Sequence, residues 1–133
     1  MDLKAFKRRI KKVAQGVEDN SNKNIIKLAV IIDQVVTIGT PVDTGHARLN
    51  WQATVVDETF EELEGEDPSG STAIGKARAV LESRKSEQTI HLTNNVKYVP
   101  RLNEGWSAQA PAGFVQEAVN VGINAFRGGK VVK

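Results

Sequence analysis

The residues from Ile25 to Ile38 constrain this chain most. Ile25, Ile26, Leu28, Ala29, Ile31, Ile32, Val35 and Val36 are apolar at positions that cover nearly every direction around a helix. A helix with so little polar surface must be buried on several sides, either at the centre of a small domain or against another subunit. The run is fourteen residues long and includes Lys27 and Asp33, short of the roughly twenty apolar residues that a membrane-spanning helix needs. Its β-branched residues permit a strand, but its length favours a helix. Asn22 or Asn24 is placed to cap the start. Gly39-Thr40-Pro41 ends it, because glycine suits a C-terminal cap and proline cannot continue the helix.

With 133 residues the chain has room for one core. Upstream, Phe6, Ile10, Val13, Ala14 and Val17 fall at helical spacing, with basic residues on the other face, and no apolar run of signal-peptide length precedes them. Downstream, Leu49, Trp51, Ala53 and Val55 alternate with Asn50, Gln52 and Thr54, the period of a strand with one buried face. The stretch from Asp57 to Gly70 reads as a mobile loop or a hairpin tip, with room for further short strand pairing inside 56–66. Thr72 to Ser83 then forms a short helix with Ala73, Ile74, Ala77, Val80 and Leu81 inward. Gln88 to Thr93 forms a second strand that stops at Asn94-Asn95. The last helix starts at Pro111, carries Val115, Ala118, Val119, Val121, Ile123 and Phe126 inward, and stops at Gly128-Gly129. These elements predict an α+β fold: a long N-terminal helix or helix pair, a small antiparallel sheet with an intervening short helix, and a C-terminal helix packed on the sheet. A single domain is expected over 1–133, with a helical region at 1–39, an α+β region at 40–126 and a flexible tail at 127–133.

Charge is unevenly placed. The net charge of +2 hides six bases within residues 1–12 (Lys4, Lys7, Arg8, Arg9, Lys11, Lys12) and seven acids without a base in 57–67 (Asp57, Glu58, Glu61, Glu62, Glu64, Glu66, Asp67). The basic helix face reads first as a solvated amphipathic face; it also suits phosphates or an acidic partner surface, and it lacks the interleaved aromatics or base-reading motif of sequence-specific recognition.

Several chemistries are disfavoured. No cysteine is present, which removes disulfides, thiolate metal sites and a cysteine nucleophile. Gly70-Ser71-Thr72-Ala73-Ile74-Gly75-Lys76-Ala77 is one residue from a phosphate-binding loop, but Ala77 lacks the hydroxyl that would hold magnesium, and acids rather than a buried strand precede it. A helix start capped by Ser71 or Thr72, with Lys76 in water, explains the segment better. His46 and His91 share no helical turn, pair with no nucleophile-elbow serine and read as solvent-facing. The acidic run lacks the alternating oxygens and central glycine of a calcium loop. No enzymatic activity, metal or cofactor is expected.

Two segments carry a family resemblance. One is Thr40-Pro41-Val42-Asp43-Thr44-Gly45-His46-Ala47-Arg48-Leu49-Asn50-Trp51; the other is Asn94-Asn95-Val96-Lys97-Tyr98-Val99-Pro100-Arg101-Leu102-Asn103-Glu104-Gly105-Trp106-Ser107, followed by Gln109-Ala110-Pro111-Ala112-Gly113-Phe114-Val115. In this order they resemble the tail-completion or neck proteins of tailed bacteriophages, over roughly 40–126. The motif residues are Pro41, Asp43, Thr44, Gly45, Arg48, Asn95, Tyr98, Glu104, Gly105, Pro111 and Gly113. Several also have a local rationale. Pro41 fixes the helix exit, Asp43 accepts from backbone N–H groups in a turn, and Gly45 takes a conformation denied to other residues. Tyr98 and Leu102 share a helical face ended by Glu104-Gly105, and Gly113 allows close backbone approach near a helix start.

The resemblance implies a structural virion protein at the head–tail junction, assembled in the host bacterial cytoplasm. It implies a ring, sixfold rather than twelvefold, that caps the tail tube and meets the head connector or stopper proteins, with double-stranded DNA passing through its channel and no membrane involved. Lys4, Lys7, Arg8, Lys11 and Lys12 on one surface, and Glu61, Glu62 and Glu64 on another, are then expected to engage complementary charges on neighbouring subunits or neck proteins. The alternative is a nonspecific DNA-binding accessory protein that uses the same basic helix.

Overall fold

A computed structural model describes residues 22–105 and 112–127. The expected basic helix with Lys4, Lys7, Arg8, Lys11 and Lys12, together with Pro111, Gly128-Gly129 and nearly all of the 127–133 tail, lies outside the described residues. Helix α1 spans Asn22–Gly39. After a turn come the short helix α2 (His46–Leu49) and strand β1 (Gln52–Val55), then a long segment without regular structure. Helix α3 (Ser71–Glu82), strand β2 (Ile90–Thr93), the short helix α4 (Val99–Asn103) and helix α5 (Phe114–Arg127) complete the order. The fold is α+β, as expected: β1 and β2 form a two-stranded antiparallel sheet in which Gln52 faces Thr93, Ala53 faces Leu92, Thr54 faces His91 and Val55 faces Ile90.

One largely aliphatic core joins the layers. Leu28, Ala29, Ile32 and Val36 of α1 meet Ala53, Ile90 and Leu92 of the sheet, Ala77 and Leu81 of α3, and Val115, Ala118, Val119, Ile123 and Phe126 of α5. The C-terminal helix thus closes the core over the sheet, with α1 as its most extensive neighbour. The two helices approach closely: a Cβ added at Gly122 would lie 2.4 Å from Ile32 Cγ1. On its other flank α1 packs against α3, which also lies on β1. Trp51 is fully buried between the end of α1 and the sheet, and its indole N–H donates to Thr40 Oγ1 at 2.8 Å. No helix among the described residues is long and apolar enough to cross a membrane.

Several boundaries differ from the sequence expectation for identifiable reasons. Asn22 and Asn24 lie inside α1 rather than capping it; Asn22 instead exchanges side-chain bonds with Arg84, through Oδ1 to the guanidinium and through Nδ2 to the carbonyl. Leu49 and Asn50 belong to the end of α2, so the strand begins at Gln52, and the second strand is confined to Ile90–Thr93. Helix α3 starts at Ser71 with neither Ser71 nor Thr72 as its cap: Gly70, at φ +78°, holds the N-cap position and the buried Asp67 supplies the oxygen, accepting from Ala73 N at 2.8 Å. Helix α5 starts at Phe114 rather than Pro111, and Val121 is on its exposed side. The 56–66 stretch forms neither a strand nor a hairpin tip.

Candidate functional site

The two motif segments, some fifty residues apart in sequence, are built into one surface. Their joint begins at the end of α1. Thr40 Oγ1 donates to Val36 O at 2.7 Å, and Arg48 reaches back from α2 to donate through Nη2 to Ile38 O (2.7 Å) and through Nε to Thr40 O (2.8 Å). A cation thus satisfies the terminal carbonyls of a helix whose own last turn has no base, where the helix dipole favours positive charge. The third guanidinium bond, Nη1 to Pro68 O at 2.8 Å, ties this end to the approach of α3.

Gly45 fixes the same junction from below. Its φ of +94° suits glycine, and its carbonyl accepts from Leu49 N and Asp67 N, both at 3.0 Å. A Cβ there would sit 2.4 Å from Pro68 N and 2.6 Å from Asp67 C, so the Asp67-Pro68 backbone passes where a side chain would be. Thr44 Oγ1 accepts from His46 N at 3.3 Å. Asp43 is exposed, and its charge acts on Tyr98, whose hydroxyl is held above its usual pKa by burial first and then by Asp43 and Glu62.

The second motif packs onto the first. Buried Asn94 donates from Nδ2 to Ala47 O at 2.8 Å and accepts from Val96 N at 3.1 Å. Tyr98 and Leu102, on one face of α4 as expected, line a small cleft of about 90 Å³ with Pro41, Val42, Asp43, Gly45 and Ala47. Glu104 and Gly105 end α4 as expected. Beyond it Asn103 organises the start of α5: its Oδ1 accepts from Val115 N (2.9 Å), its Nδ2 donates to Gln116 Oε1 (3.0 Å), and its carbonyl accepts from Gly113 N (2.7 Å). Gly113 is glycine for its φ of +82° rather than for close approach, since an added Cβ would meet only Gln116 Oε1 at 3.5 Å.

The acidic segment is a strap laid over this junction, held by side chains rather than by strand pairing. Asn50 exchanges two bonds with Leu63, accepting from its N–H at 2.6 Å and donating to its carbonyl at 3.0 Å. Asn95 Nδ2 donates to Thr59 O (3.1 Å) and Glu61 O (2.9 Å), and Gln52 Nε2 donates to Glu61 O (2.8 Å). His46 is not simply solvent-facing: Nε2 lies 2.8 Å from Glu62 Oε2 and Nδ1 lies 2.9 Å from Gly65 O. The Glu62 bond, helped by that to Gly65, raises the His46 pKa above its usual value. With both ring nitrogens facing oxygens, the charged imidazolium can donate twice.

The strap also presents side chains outward. Glu61, Glu62, Glu64 and Glu66 are exposed, as is Phe60, which is 81% accessible at the strap's crest. Neither Phe60 nor the clamps formed by Asn50, Asp67, Asn94 and Asn103 stood out in the sequence. An aromatic amid acids was the available signal for Phe60; single amides bonding distant carbonyls leave no periodic signal. Among the described residues no group of three or more His, Asp or Glu is placed to hold a metal ion. Gly75 and Lys76 lie within α3, so the Gly70–Ala77 segment is not a phosphate-cradling loop.

No protein-family model matches the chain, and neither a curated protein nor a solved structure matches it. The site is a junction where a helix end, a strap and two motif segments are locked together, with acids and an aromatic exposed on the strap.

Proposed function

We propose that the protein is a structural virion component of a tailed bacteriophage, a tail-completion or neck protein that forms a ring where head and tail join. The reading is supported above all by the convergence of the two resembling segments. Pro41, Asp43 and Gly45 of one line a cleft with Tyr98 and Leu102 of the other, and Asn94 bonds Ala47 across the sequence gap. The shared residues thus act as a single framework, which suits a scaffold that holds a contact surface in place. In this reading the ring is sixfold, caps the tail tube, meets the head connector or stopper proteins, and encloses the DNA channel. The protein works without catalytic residues or cofactor and is assembled into the virion in the host cytoplasm.

A second reading, nonspecific DNA binding by an accessory protein, draws on the basic residues of 4–12 and on the exposed Lys23, Lys27 and Arg78 of α1 and α3. Gel-shift titration at two salt concentrations separates the two readings. A DNA-binding accessory protein shows affinity that falls steeply with salt, whereas a neck protein shows little binding as a free protein and forms its ring alone or on the tube end.

A further inference from the structure

Helix α1 has a second apolar side, beside the core and left partly uncovered among the described residues. Ile26, Val30 and Ile31 are only half buried, and together with Lys23, Lys27 and Arg78 they line a groove of about 710 Å³ between α1 and α3. The aliphatic part of the lining is joined by three bases against one acid, Glu82, and by the amides Asn22 and Gln34. The strap has the opposite character: Phe60 stands 81% exposed among Glu61, Glu62 and Glu64, with Val56, 54% exposed, at its base. An isolated exposed apolar residue needs no explanation, but a large exposed aromatic in an acidic segment, on a chain that also carries an apolar groove with a net positive lining, has the anatomy of an interface anchor and its pocket.

The two surfaces belong to different places on the molecule. The strap is tied through Arg48 and Pro68 to the C-terminal end of α1, whereas the groove runs along α1 from Asn22 to Gln34. Lys23 and Ile38 are about 22 Å apart along a helix that rises 1.5 Å per residue, and no strap residue lines the groove. We propose that the groove receives the acidic strap of a second copy of this chain, with Phe60 seated on Ile26, Val30 and Ile31 and the strap glutamates facing Lys23, Lys27 and Arg78. Contact between two different patches is heterologous, and repetition closes a ring when the rotation per subunit permits. This inference rests on the ring reading above and names its interface.

The test places the photo-crosslinker p-benzoylphenylalanine at position 60 of the full chain and mixes isotope-labelled with unlabelled protein. The expected crosslinks join copies of different label, from position 60 to peptides containing residues 23–31 or 78–82. Two charge-reversed variants accompany it, E61K/E64K on the strap and K27E/R78E in the groove. Each alone weakens self-association at least roughly tenfold; mixed, they pair with each other, because one keeps an intact groove and the other an intact strap. Rings whose crosslinks fall elsewhere overturn the strap–groove contact and leave the ring reading standing. Strap-to-groove crosslinks in open filaments or dimers support the contact and count against the ring. Crosslinks within one chain, including to residues 1–21, overturn the inference. So does a groove that binds a duplex oligonucleotide while no copies crosslink.

Discussion

Gly45 is the residue least open to change. Its positive φ and the Asp67-Pro68 backbone lying within 2.8 Å of any added Cβ act together, so Gly45→Ala strains its own backbone and pushes the strap off the end of α1. The expected loss is on the order of 3 kcal/mol in chemical denaturation; a loss below about 1 kcal/mol would contradict the junction described. Asp33 poses the opposite case, a residue the fold holds at a cost. It is buried within α1, its Oδ1 finds no hydrogen-bond partner among the described residues, and burial raises its pKa from 3.8 to about 7. An acid with a raised folded-state pKa stabilises the fold when protonated, so stability falls as pH climbs from 3.8 to about 7 and levels off above. The cost above that range is on the order of 4 kcal/mol. His46, also raised, adds to the same trend, since its pairing with Glu62 weakens as the ring loses its proton. Urea denaturation should therefore find the wild-type protein less stable at about pH 8 than at about pH 5. Asp33→Asn should recover most of the loss; equal pH dependence in both proteins would contradict this account.

At the scale of elements, the helices were legible and the strap was not. Periodicity located α1 and α3 to within a few residues because a buried stripe recurs every turn. The start of α5 was misplaced because Asn103, eleven residues upstream of Phe114, supplies the cap that Pro111 was expected to mark. Asn50 had the place of a polar strand position, yet its amide clamps Leu63 across the strap. Nothing in local spacing reveals a bond between residues thirteen apart whose second partner lies in a segment without regular structure. Asn50→Ala removes both Leu63 bonds and its own bond to His46 O. A loss of about 2 kcal/mol is expected, with amide exchange rising in 57–66 before it rises in α1. Uniform acceleration across the chain would mean that the strap is not a separate unit.

At the scale of the molecule, the apolar character of α1 all round proved to have two destinations. Leu28, Ile32 and Val36 are buried in the core, while Ile26, Val30 and Ile31 are half buried and line a groove beside it. Both of the sequence's options for that helix, central burial and subunit contact, thus correspond to a distinct face, the first observed and the second proposed. Fold class was legible because strand alternation and helix spacing are local. The meeting of the two motif segments was not, because it depends on long-range bonds such as Asn94 to Ala47. The central claim is that this framework serves assembly. It is tested most directly by the mass of the native particle, measured alone and with isolated tail tubes. A closed ring of six copies, formed alone or on the tube end, is the predicted result; a monomer under both conditions would contradict it.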